Sequence, residues 1–526
     1  MSTTGMVRSG RVAGILAAGV ASLLVLGACS QSTPSPHTQE EPSSELQRFY
    51  DQDVTFEPCE GYGTTSTDIA TFASDPRFEC ARVEVPLDYE DATGRVAQIA
   101  LLKAPARGEA IGSLLLNSGG PGGPGMSMAA SAATTSWADS PLTERFDLIG
   151  FDPRGVGAST PAIDCFTDAE NEAGEAHTTV LTGARTLSAV GAQELADRCA
   201  ERSGGDDVLA HVGSRDAAQD MDVLRAVLGD EKLNYLGQSY GTRLGAVYAE
   251  MFPRNVRAMV LDGAIDPLQS TADRRIDQFA SFQSSFDAMA VDCATFPDCP
   301  LGQDPSRAVE NFQNIVRPLV DQPIIAEDGR RMDFDVAYGA VIAGLYTSEV
   351  WPVITKGIAE LRVGQSETLF RIIDLFGGRD ENGKYPNFAE ALYAINCLDE
   401  QRNTADQEVD LKRRIQEIAP FTDAGLGPEG ARDPCESWPA EPTLGFPYAT
   451  GIDGLPDTLT ISITGDPSTP YEGGVSLANT LGGSLLSVDG EQHTVAFGGT
   501  SECVNGVVAD YLVDLKSPPT DARCGL

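Results

Sequence analysis

The chain has 526 residues, of which 41% are hydrophobic and 22% are charged. This composition fits a globular protein and argues against large-scale disorder, and the length predicts about two folding units. The 77 acidic and 37 basic residues give a formal charge of −40. Such a charge argues against nucleic acid and other anionic surfaces as partners, because the chain would repel phosphate groups.

The N-terminal segment is predicted to direct export. Arg8 and Arg11 precede an apolar run at residues 12–26. The run is too short to span a bilayer comfortably, and a basic start followed by such a run is the layout of a secretory signal peptide. We therefore expect residues 1–28 to be a signal peptide.

The end of this segment predicts a lipid anchor. Residues 26–29 read Leu-Gly-Ala-Cys and resemble a bacterial lipobox, in which the cysteine is lipidated and becomes the new N-terminus. A signal peptide that is simply removed is the alternative. The next residues are rich in Ser, Pro, Thr and Glu and cannot bury enough apolar surface to fold. We expect Cys29 to be lipidated and residues 29–47 to tether the protein to the extracytoplasmic face of the cell membrane, with partial release.

The other cysteines predict disulfides. The chain has eleven cysteines, so ten remain besides Cys29, and an even number in an exported protein usually forms disulfides. The connectivity is open from sequence alone, and metal binding is the weaker alternative because no Cys-x-x-Cys spacing occurs. We expect neighbours to pair: Cys59 with Cys80, Cys165 with Cys199, Cys293 with Cys299, Cys397 with Cys435, and Cys503 with Cys524.

Short apolar strands alternate with helical stretches, which is typical of an α/β protein with a mostly parallel sheet. From about residue 267 apolar residues recur at three- and four-residue steps and predict helices instead. The sequence thus predicts an α/β core at 48–266 and 448–526, interrupted by a helical insertion at 267–447. The predicted strands are residues 96–102, 113–116, 147–151, 233–236, 258–261, 458–464 and 484–488.

A glycine-rich loop follows the strand at 113–116. Residues 117–125 read Asn-Ser-Gly-Gly-Pro-Gly-Gly-Pro-Gly, and glycines let bare backbone approach a substrate. Such a loop can offer a backbone N–H to a developing oxyanion. We expect this donor to be Gly120, with Gly119 as the alternative. No Gly-Lys-Ser/Thr follows, which argues against a phosphate-binding loop.

Residues 237–241 form a Gly-x-Ser-x-Gly motif between the strand at 233–236 and a predicted helix at 242–251. This context predicts a nucleophile elbow, in which a sharp strand-to-helix turn exposes Ser239 at the sheet edge. The N–H of Tyr240, the next residue, is the second expected oxyanion donor. An ordinary Gly/Ser turn is the alternative for the motif taken alone.

A nucleophilic serine needs a base, normally a histidine. Of the four histidines, His37 lies in the predicted tether, and His177 and His211 are expected at the surface. His493 follows the predicted strand at 484–488. A loop after a late strand is the place expected for the base, so His493 is the candidate.

The histidine needs a carboxylate that orients it. In the chain order expected for an elbow serine, this acid lies between serine and histidine. Asp466 follows the strand at 458–464 and is the candidate, with Asp262 as the alternative. Thr469 is expected either to hydrogen-bond Asp466 or to serve as a plain turn residue.

Together these segments resemble the prolyl and tripeptidyl aminopeptidase branch of the α/β hydrolases, especially secreted bacterial tripeptidyl aminopeptidases. The resemblance covers most of the core and little of the insertion. Where relatives often have Gly-x-Gly-His, this chain has Gly-Glu-Gln-His ending at His493, and this polar pair is expected to alter the pocket beside the base. The matching stretches are residues 117–125, Asp-Leu-Ile-Gly-Phe-Asp-Pro-Arg-Gly-Val-Gly at 147–157, residues 237–241, residues 466–471, and His493.

The resemblance implies an extracytoplasmic serine exopeptidase that releases tripeptides or single residues from free peptide or protein N-termini through an acyl-enzyme, with the insertion as a cap. No metal or organic cofactor is expected. Asp399 and Glu400 are the candidates for binding the substrate ammonium, with a solvated helix end as the alternative. An esterase or lipase with the same triad remains open, as does a non-catalytic surface lipoprotein that binds peptides.

Overall fold

A computed structural model describes residues 44–173, 186–496, 498 and 501–526 of the protein. The predicted signal peptide, Cys29, His37 and His177 lie outside the described residues. No helix in the described ranges is long and apolar enough to cross a bilayer. The end of the predicted tether differs from expectation, because residues 44–47 already belong to a helix, Ser44–Tyr50. Phe49 of this helix is buried in the core and packs the helix against the rest of the described protein.

The strands of the described residues form one large sheet and one small hairpin. They are, in chain order, β1 (Glu57–Pro58), β2 (Glu79–Pro86), β3 (Val96–Ala104), β4 (Ser113–Asn117), β5 (Asp147–Asp152), β6 (Leu233–Gln238), β7 (Val256–Asp262), β8 (Ile324–Ile325), β9 (Arg331–Met332), β10 (Leu459–Ile463), β11 (Ser484–Asp489) and β12 (Arg523–Gly525). The large sheet has the order β1-β2-β3-β5-β4-β6-β7-β10-β11-β12. Its first three pairings, up to β3–β5, are antiparallel, and the pairings from β5–β4 to β12 are parallel. The predicted, mostly parallel sheet is confirmed.

The helices cover the sheet and fill the insertion. They are α1 (Ser44–Tyr50), α2 (Ser66–Phe72), α3 (Gly125–Thr134), α4 (Pro141–Arg145), α5 (Asp168–Glu172), α6 (Ala189–Ser203), α7 (Asp206–Leu209), α8 (Ser214–Val227), α9 (Tyr240–Met251), α10 (Thr271–Cys293), α11 (Ala308–Val316), α12 (Phe334–Gly344), α13 (Trp351–Leu361), α14 (Glu367–Gly377), α15 (Phe388–Asp399), α16 (Ala405–Ile418), α17 (Tyr471–Leu481) and α18 (Glu502–Asp514). Short 3-10 turns lie at Pro253–Asn255, Pro305–Arg307, Arg317–Val320, Ser348–Val350 and Pro420–Thr422.

The two faces of the large sheet bury separate apolar clusters. In β6, Tyr235 belongs to one cluster and Leu236 to the other, because successive side chains of a strand point to opposite faces. Residues of α8 and α9 complete the first cluster, and residues of α3 and α18 complete the second. Helices therefore cover both faces, which explains why every residue of β4 and β6 is buried.

Seven of the helices, α10 to α16, lie between β7 and β10, in the region 267–447 that the sequence predicts as an insertion. Six of them, α10 to α14 and α16, share a third apolar cluster, whereas the buried apolar residues of α15 belong to the first cluster. In this cluster the ring of Phe286 stacks on Phe421 at 4.9 Å and contacts Phe312 at 5.3 Å. The β8–β9 hairpin also lies in this region, so the expectation that strands stop at about residue 267 is wrong for these few residues.

The structure joins the ten cysteines in the five pairs expected from the sequence, namely Cys59–Cys80, Cys165–Cys199, Cys293–Cys299, Cys397–Cys435 and Cys503–Cys524. Each bond links cysteines that are close in the chain. Because disulfides form and persist in oxidising compartments, these bonds indicate an extracellular protein.

The Asp-Pro-Arg-Gly stretch after β5 fixes the surroundings of the glycine-rich loop. Arg154 is buried and makes two hydrogen bonds to Asp220 on α8, at 2.6 and 2.7 Å. It also donates to three backbone carbonyls. Asp152 accepts the N–H of Met126, at the start of α3, and the N–H of Ala158. These contacts hold the end of β5 and the start of α3 together, directly after the loop.

Candidate active site

The predicted site residues gather at one edge of the large sheet. Ser239 directly follows β6, Asp262 ends β7, Asp466 follows β10 and His493 follows β11. These strands are parallel neighbours, so their carboxyl ends meet at the same edge. Open α/β sheets bind ligands outside the carboxyl ends of their strands.

Ser239 lies in a strained turn between β6 and α9. Its φ is 55° and its ψ is −121°, a conformation that costs a non-glycine residue about 1–3 kcal/mol. A side chain at Gly237 would clash with the carbonyl oxygen of Gly241, so the turn needs glycine there. The chain therefore adopts the elbow geometry that the motif predicts, with the serine at the N-terminus of α9.

His493 and Asp466 form a direct pair. The Nδ1 atom of His493 lies 2.8 Å from Oδ1 and 2.9 Å from Oδ2 of Asp466. Asp466 also accepts the backbone N–H groups of Ser468 and Thr469 and the Thr469 hydroxyl, at 2.8 to 2.9 Å. These bonds fix the carboxylate, and of the two roles considered for Thr469 they show the hydrogen bond to Asp466. Within the described residues the buried Nε2 of His493 has no hydrogen-bond partner, so this nitrogen is available to accept a proton.

Asp262, the alternative acid, connects the elbow to the histidine loop. Its backbone oxygen accepts the N–H of Ser239 at 2.8 Å. Its Oδ2 atom accepts the N–H groups of Val495 and Ala496 at 2.7 and 2.8 Å and the Gln238 side chain at 3.0 Å. Burial raises the pKa of Asp262, and these donors oppose the shift. The carboxylate thus holds backbone in place, whereas Asp466 is the group that contacts the His493 ring.

The glycine-rich loop lies against the elbow. Gly119 has a φ of 88°, and a side chain there would come within 2.5 Å of the Gln238 carbonyl oxygen, so only glycine permits this approach. The N–H of Gly119 donates to the Asn117 side chain at 3.0 Å. This bond favours Gly120 over Gly119 as the oxyanion donor. Gly120 and Tyr240 line the same cavity as Ser239, and the Tyr240 N–H belongs to the first turn of α9, which has no intrahelical acceptors.

The insertion also contacts the histidine loop, which the sequence did not suggest. The backbone oxygen of Tyr346 accepts the His493 N–H at 2.8 Å, and Thr347 forms an antiparallel bridge with Gln492. The Tyr346 ring meets the imidazole edge-on, with centroids 5.0 Å apart. A single tyrosine in a helical region carries no sequence signal for this role, so only the fold identifies it.

Ser239 opens into a cavity of about 200 Å³ between the sheet edge and the insertion. Residues of α10 and α15, Tyr346 and the segment that follows Asp466 complete its wall. Tyr346 and the helices belong to the insertion, so the insertion closes one side of the site. Its position therefore limits how much of a substrate can enter beside Ser239.

Asp399 and Glu400, the expected ammonium ligands, have other partners. Among the described residues, Asp399 is absent from the cavity wall, and it accepts the Ser214 N–H and hydroxyl at 2.9 and 2.5 Å. Glu400 does line the cavity, but Arg274 and Arg275 already donate to its two oxygens. The geometry therefore does not favour Asp399 as an ammonium ligand, and it gives Glu400 an ionic role within the wall. The position of these two carboxylates in the sequence does not reveal which way each side chain faces.

We expect the Glu400→Gln variant to be less stable than the wild type by about 3–5 kcal/mol at neutral pH, because it leaves buried arginines unpaired. Burial raises the pKa of Glu400, but Arg274, Arg275 and Arg243 outweigh it and lower this pKa to about 2, from a usual 4.5. The stabilisation is therefore complete above about pH 4.5 and is lost as the pH falls towards 2. Urea unfolding at pH 7 and pH 3 measures the difference.

The exposed Glu310, which pairs with Arg307, provides the control. The Glu310→Gln variant is expected to change the free energy of unfolding by less than about 1 kcal/mol at either pH. A Glu400→Gln effect of the same size at both pH values would contradict the assigned pairing.

Comparison with known proteins places the chain in a family. The family described as "alpha/beta hydrolase fold" matches residues 112–499. Serine protease Hip1 of Mycobacterium tuberculosis is 42% identical over 456 residues, which cover 85% of this chain and 87% of that protein. Carboxylesterase B of the same organism is 40% identical over 473 residues, covering 89% and 90%. Tripeptidyl aminopeptidase of Streptomyces lividans is 30% identical over 474 residues, covering 85% and 83%.

These similarities confirm the resemblance stated from the sequence. The family match includes the glycine-rich loop, the elbow, the insertion, Asp466 and His493. The three relatives carry names of hydrolases, and two of the names are those of peptidases. The chain therefore belongs to the α/β-hydrolase fold family, and it is a serine hydrolase.

Proposed function

We propose that this protein is an extracytoplasmic serine exopeptidase that removes short peptides, tripeptides in particular, from free N-termini. The observation that carries this proposal is the Asp466–His493 pair at the same sheet edge as a strained elbow serine, which opens into a cavity that the insertion closes on one side. The relative named tripeptidyl aminopeptidase supports the same substrate class.

The proposed reaction proceeds through an acyl-enzyme. Ser239 attacks the scissile carbonyl while Nε2 of His493 takes the hydroxyl proton. Asp466 accepts the Nδ1 proton in a hydrogen bond, which leaves Nε2 as the basic nitrogen and stabilises the imidazolium. The N–H groups of Tyr240 and Gly120 donate to the oxyanion. His493 then protonates the leaving amine, and water releases the peptide by the reverse sequence of proton transfers.

Cavity carboxylates support recognition of a free amine. Asp266, Asp277 and Glu472 line the cavity together with Ser239, and a substrate ammonium binds best where carboxylates accept its hydrogen bonds. Glu472 lies in the first turn of α17, shortly after Asp466, and is exposed. These carboxylates replace Asp399 in the proposal, since its oxygens are already bonded to Ser214.

The proposed location is the outer face of the cell membrane. The five disulfides support an oxidising environment. The lipobox-like residues ending in Cys29 supply the proposed anchor. Peptides and protein N-termini are then the substrates within reach. Mass spectrometry of the mature N-terminus, with Cys29→Ala as the unlipidated variant, would test the anchor.

The proposal predicts that hydrolysis depends on a free amine. Acetylating the N-terminus of a tripeptidyl p-nitroanilide is expected to lower kcat/KM by about 10- to 100-fold, because an ammonium hydrogen-bonded to carboxylates is lost. Mono-, di- and tripeptidyl anilides, measured in parallel, identify the length released. Equal rates for the free and acetylated substrates would refute an aminopeptidase.

A carboxylesterase is the second candidate, because a relative with that name is 40% identical to this chain and the triad does not distinguish esters from amides. The same assay separates the two activities. Hydrolysis of p-nitrophenyl esters without hydrolysis of any free-amine peptide would favour the esterase.

A further inference from the structure

The cavity beside Ser239 contains three arginines that the proposed mechanism does not use. Arg243 lies on α9, one helical turn after Ser239, and Arg274 and Arg275 lie near the start of α10. All three line the cavity. Four carboxylates, those of Asp266, Asp277, Glu400 and Glu472, line the same cavity, so its wall holds both charges and the three guanidinium groups form a basic cluster within it.

The three arginines share few carboxylates. Arg274 and Arg275 donate to Glu400. Arg243 lies 3.8 Å from Glu400 and 3.6 Å from Asp399. Asp399 is also bonded to Ser214. Among the ion pairs of the described residues, the three guanidinium groups therefore share two carboxylates, whereas Asp266, Asp277 and Glu472 of the same wall pair with none of them.

The carboxylates in the next layer have partners of their own. Glu408 and Asp433 are electrostatic neighbours of Arg275. Glu408 accepts the Asn403 side chain at 2.8 Å, and Asp433 accepts the N–H groups of Asn403 and Cys435 at 2.6 and 2.8 Å. They contribute to the field around Arg275, but their hydrogen bonds go to amides instead of guanidinium groups.

Several guanidinium atoms lack a hydrogen-bond partner in the part of the chain that the structure describes. They are Nε and Nη1 of Arg243, Nε of Arg274 and Nε of Arg275, and all of them are buried. Buried donors in native proteins are almost always bonded. A planar carboxylate matches a guanidinium fork, which can donate two parallel hydrogen bonds to it.

We propose that Arg243, Arg274 and Arg275 form a subsite for a substrate carboxylate, so that the enzyme prefers peptides with an acidic side chain or a free C-terminal carboxylate close to the scissile bond. This proposal rests on the proposed peptidase function. Since one helical turn rises only about 5.4 Å, Arg243 is close enough to reach the residue bonded to Ser239 or its neighbour.

The test compares matched free-amine peptides that differ only in Glu or Gln, with the substitution placed at each position around the scissile bond. A second pair differs in a free or amidated C-terminus, which separates the two sources of the carboxylate. We expect kcat/KM to be about 10- to 100-fold higher for the carboxylate at one of these positions. Hydrolysis of the peptides with no such preference at any position would overturn the proposal.

Variants of two of these arginines test whether they cause the preference for a carboxylate. In Arg243→Gln and Arg274→Gln the Glu-to-Gln ratio of kcat/KM should fall towards one. If Arg243→Gln fails to fold, the test relies on Arg274→Gln. Arg274 is the less buried of the two, with 17% of its side chain exposed. Arg330→Gln is the matched control, because Arg330 is an ion-paired arginine of the insertion, bonded to Asp374, and does not line the cavity. Its ratio should equal that of the wild type, and an equal fall in all three variants would overturn the proposal.

A separate measurement does not depend on peptidase activity. Glutarate should inhibit hydrolysis of p-nitrophenyl acetate competitively, and about tenfold less strongly in Arg274→Gln, whereas the neutral glutaramide should not inhibit. If no free-amine peptide is cleaved but glutarate inhibits in this way, the proposed peptidase function fails and the carboxylate subsite stands. If glutarate does not inhibit either, the arginines serve only to hold Glu400, and the subsite is refuted.

Discussion

Replacing Ser239 with alanine is expected to lower kcat by about six orders of magnitude, since loss of the nucleophile of a serine triad has an effect of this size. The fold should remain intact. The turn is held by the bonds from the Ser239 N–H to Asp262 and from the Thr242 N–H to the Ser239 carbonyl, and alanine keeps both backbone groups. Alanine also has no greater difficulty than serine at a φ of 55°. Turnover of a free-amine peptide and thermal unfolding measure the two effects.

The neighbouring serine of the glycine-rich loop provides the control. Ser118→Ala is expected to retain kcat within about tenfold, because in the mechanism Ser118 neither attacks the substrate nor moves a proton. A fluorophosphonate probe should label the wild type and Ser118→Ala, but not Ser239→Ala. Full turnover or labelling of Ser239→Ala would refute the assignment of the nucleophile.

The second large effect is expected from replacing Asp466, the carboxylate that orients His493. Asp466→Asn is expected to lower kcat by about 10⁴-fold, because an amide that donates to Nδ1 of His493 leaves the imidazole in the wrong tautomer. The amide oxygen can still accept the N–H groups of Ser468 and Thr469, so the turn should fold. The measurement is kcat on a free-amine peptide across the pH range, together with thermal unfolding.

Asp262→Asn is the matched control for Asp466→Asn, because Asp262 is a further buried carboxylate of the same sheet edge. Its Oδ2 atom accepts hydrogen bonds from Val495, Ala496 and Gln238, so we expect mainly a lower free energy of unfolding, by about 1–3 kcal/mol, and a loss in kcat well below that of Asp466→Asn. The reverse order of the two kcat losses would assign the acid to Asp262.

Local signals were enough to predict much of this protein. The predicted strands were found because each is a short apolar run bounded by turn residues, and the elbow because its motif sits between a strand and a helix. The order of Ser239, Asp466 and His493 along the chain was sufficient to select them, since parallel strands bring their carboxyl ends to one edge. The disulfide pairs were predictable because their cysteines are close in sequence. The β8–β9 hairpin was missed because strands of two residues are too short to show a period.

The tertiary structure alone decided how the site is supported and enclosed. Asp399 and Glu400 are adjacent in sequence, yet one is bonded to Ser214 and the other faces the cavity. Tyr346 contacts His493 although the two residues are far apart in the chain. Arg243 likewise lies on the same cavity wall as Arg274 and Arg275, which belong to a distant helix. Such contacts leave no periodic pattern or motif, because the side chains involved are specified by how α9, α10, α15 and the histidine loop pack together. The sequence by itself therefore determined the fold class and the candidate nucleophile, base and acid, whereas packing between distant segments decided which charges surround them.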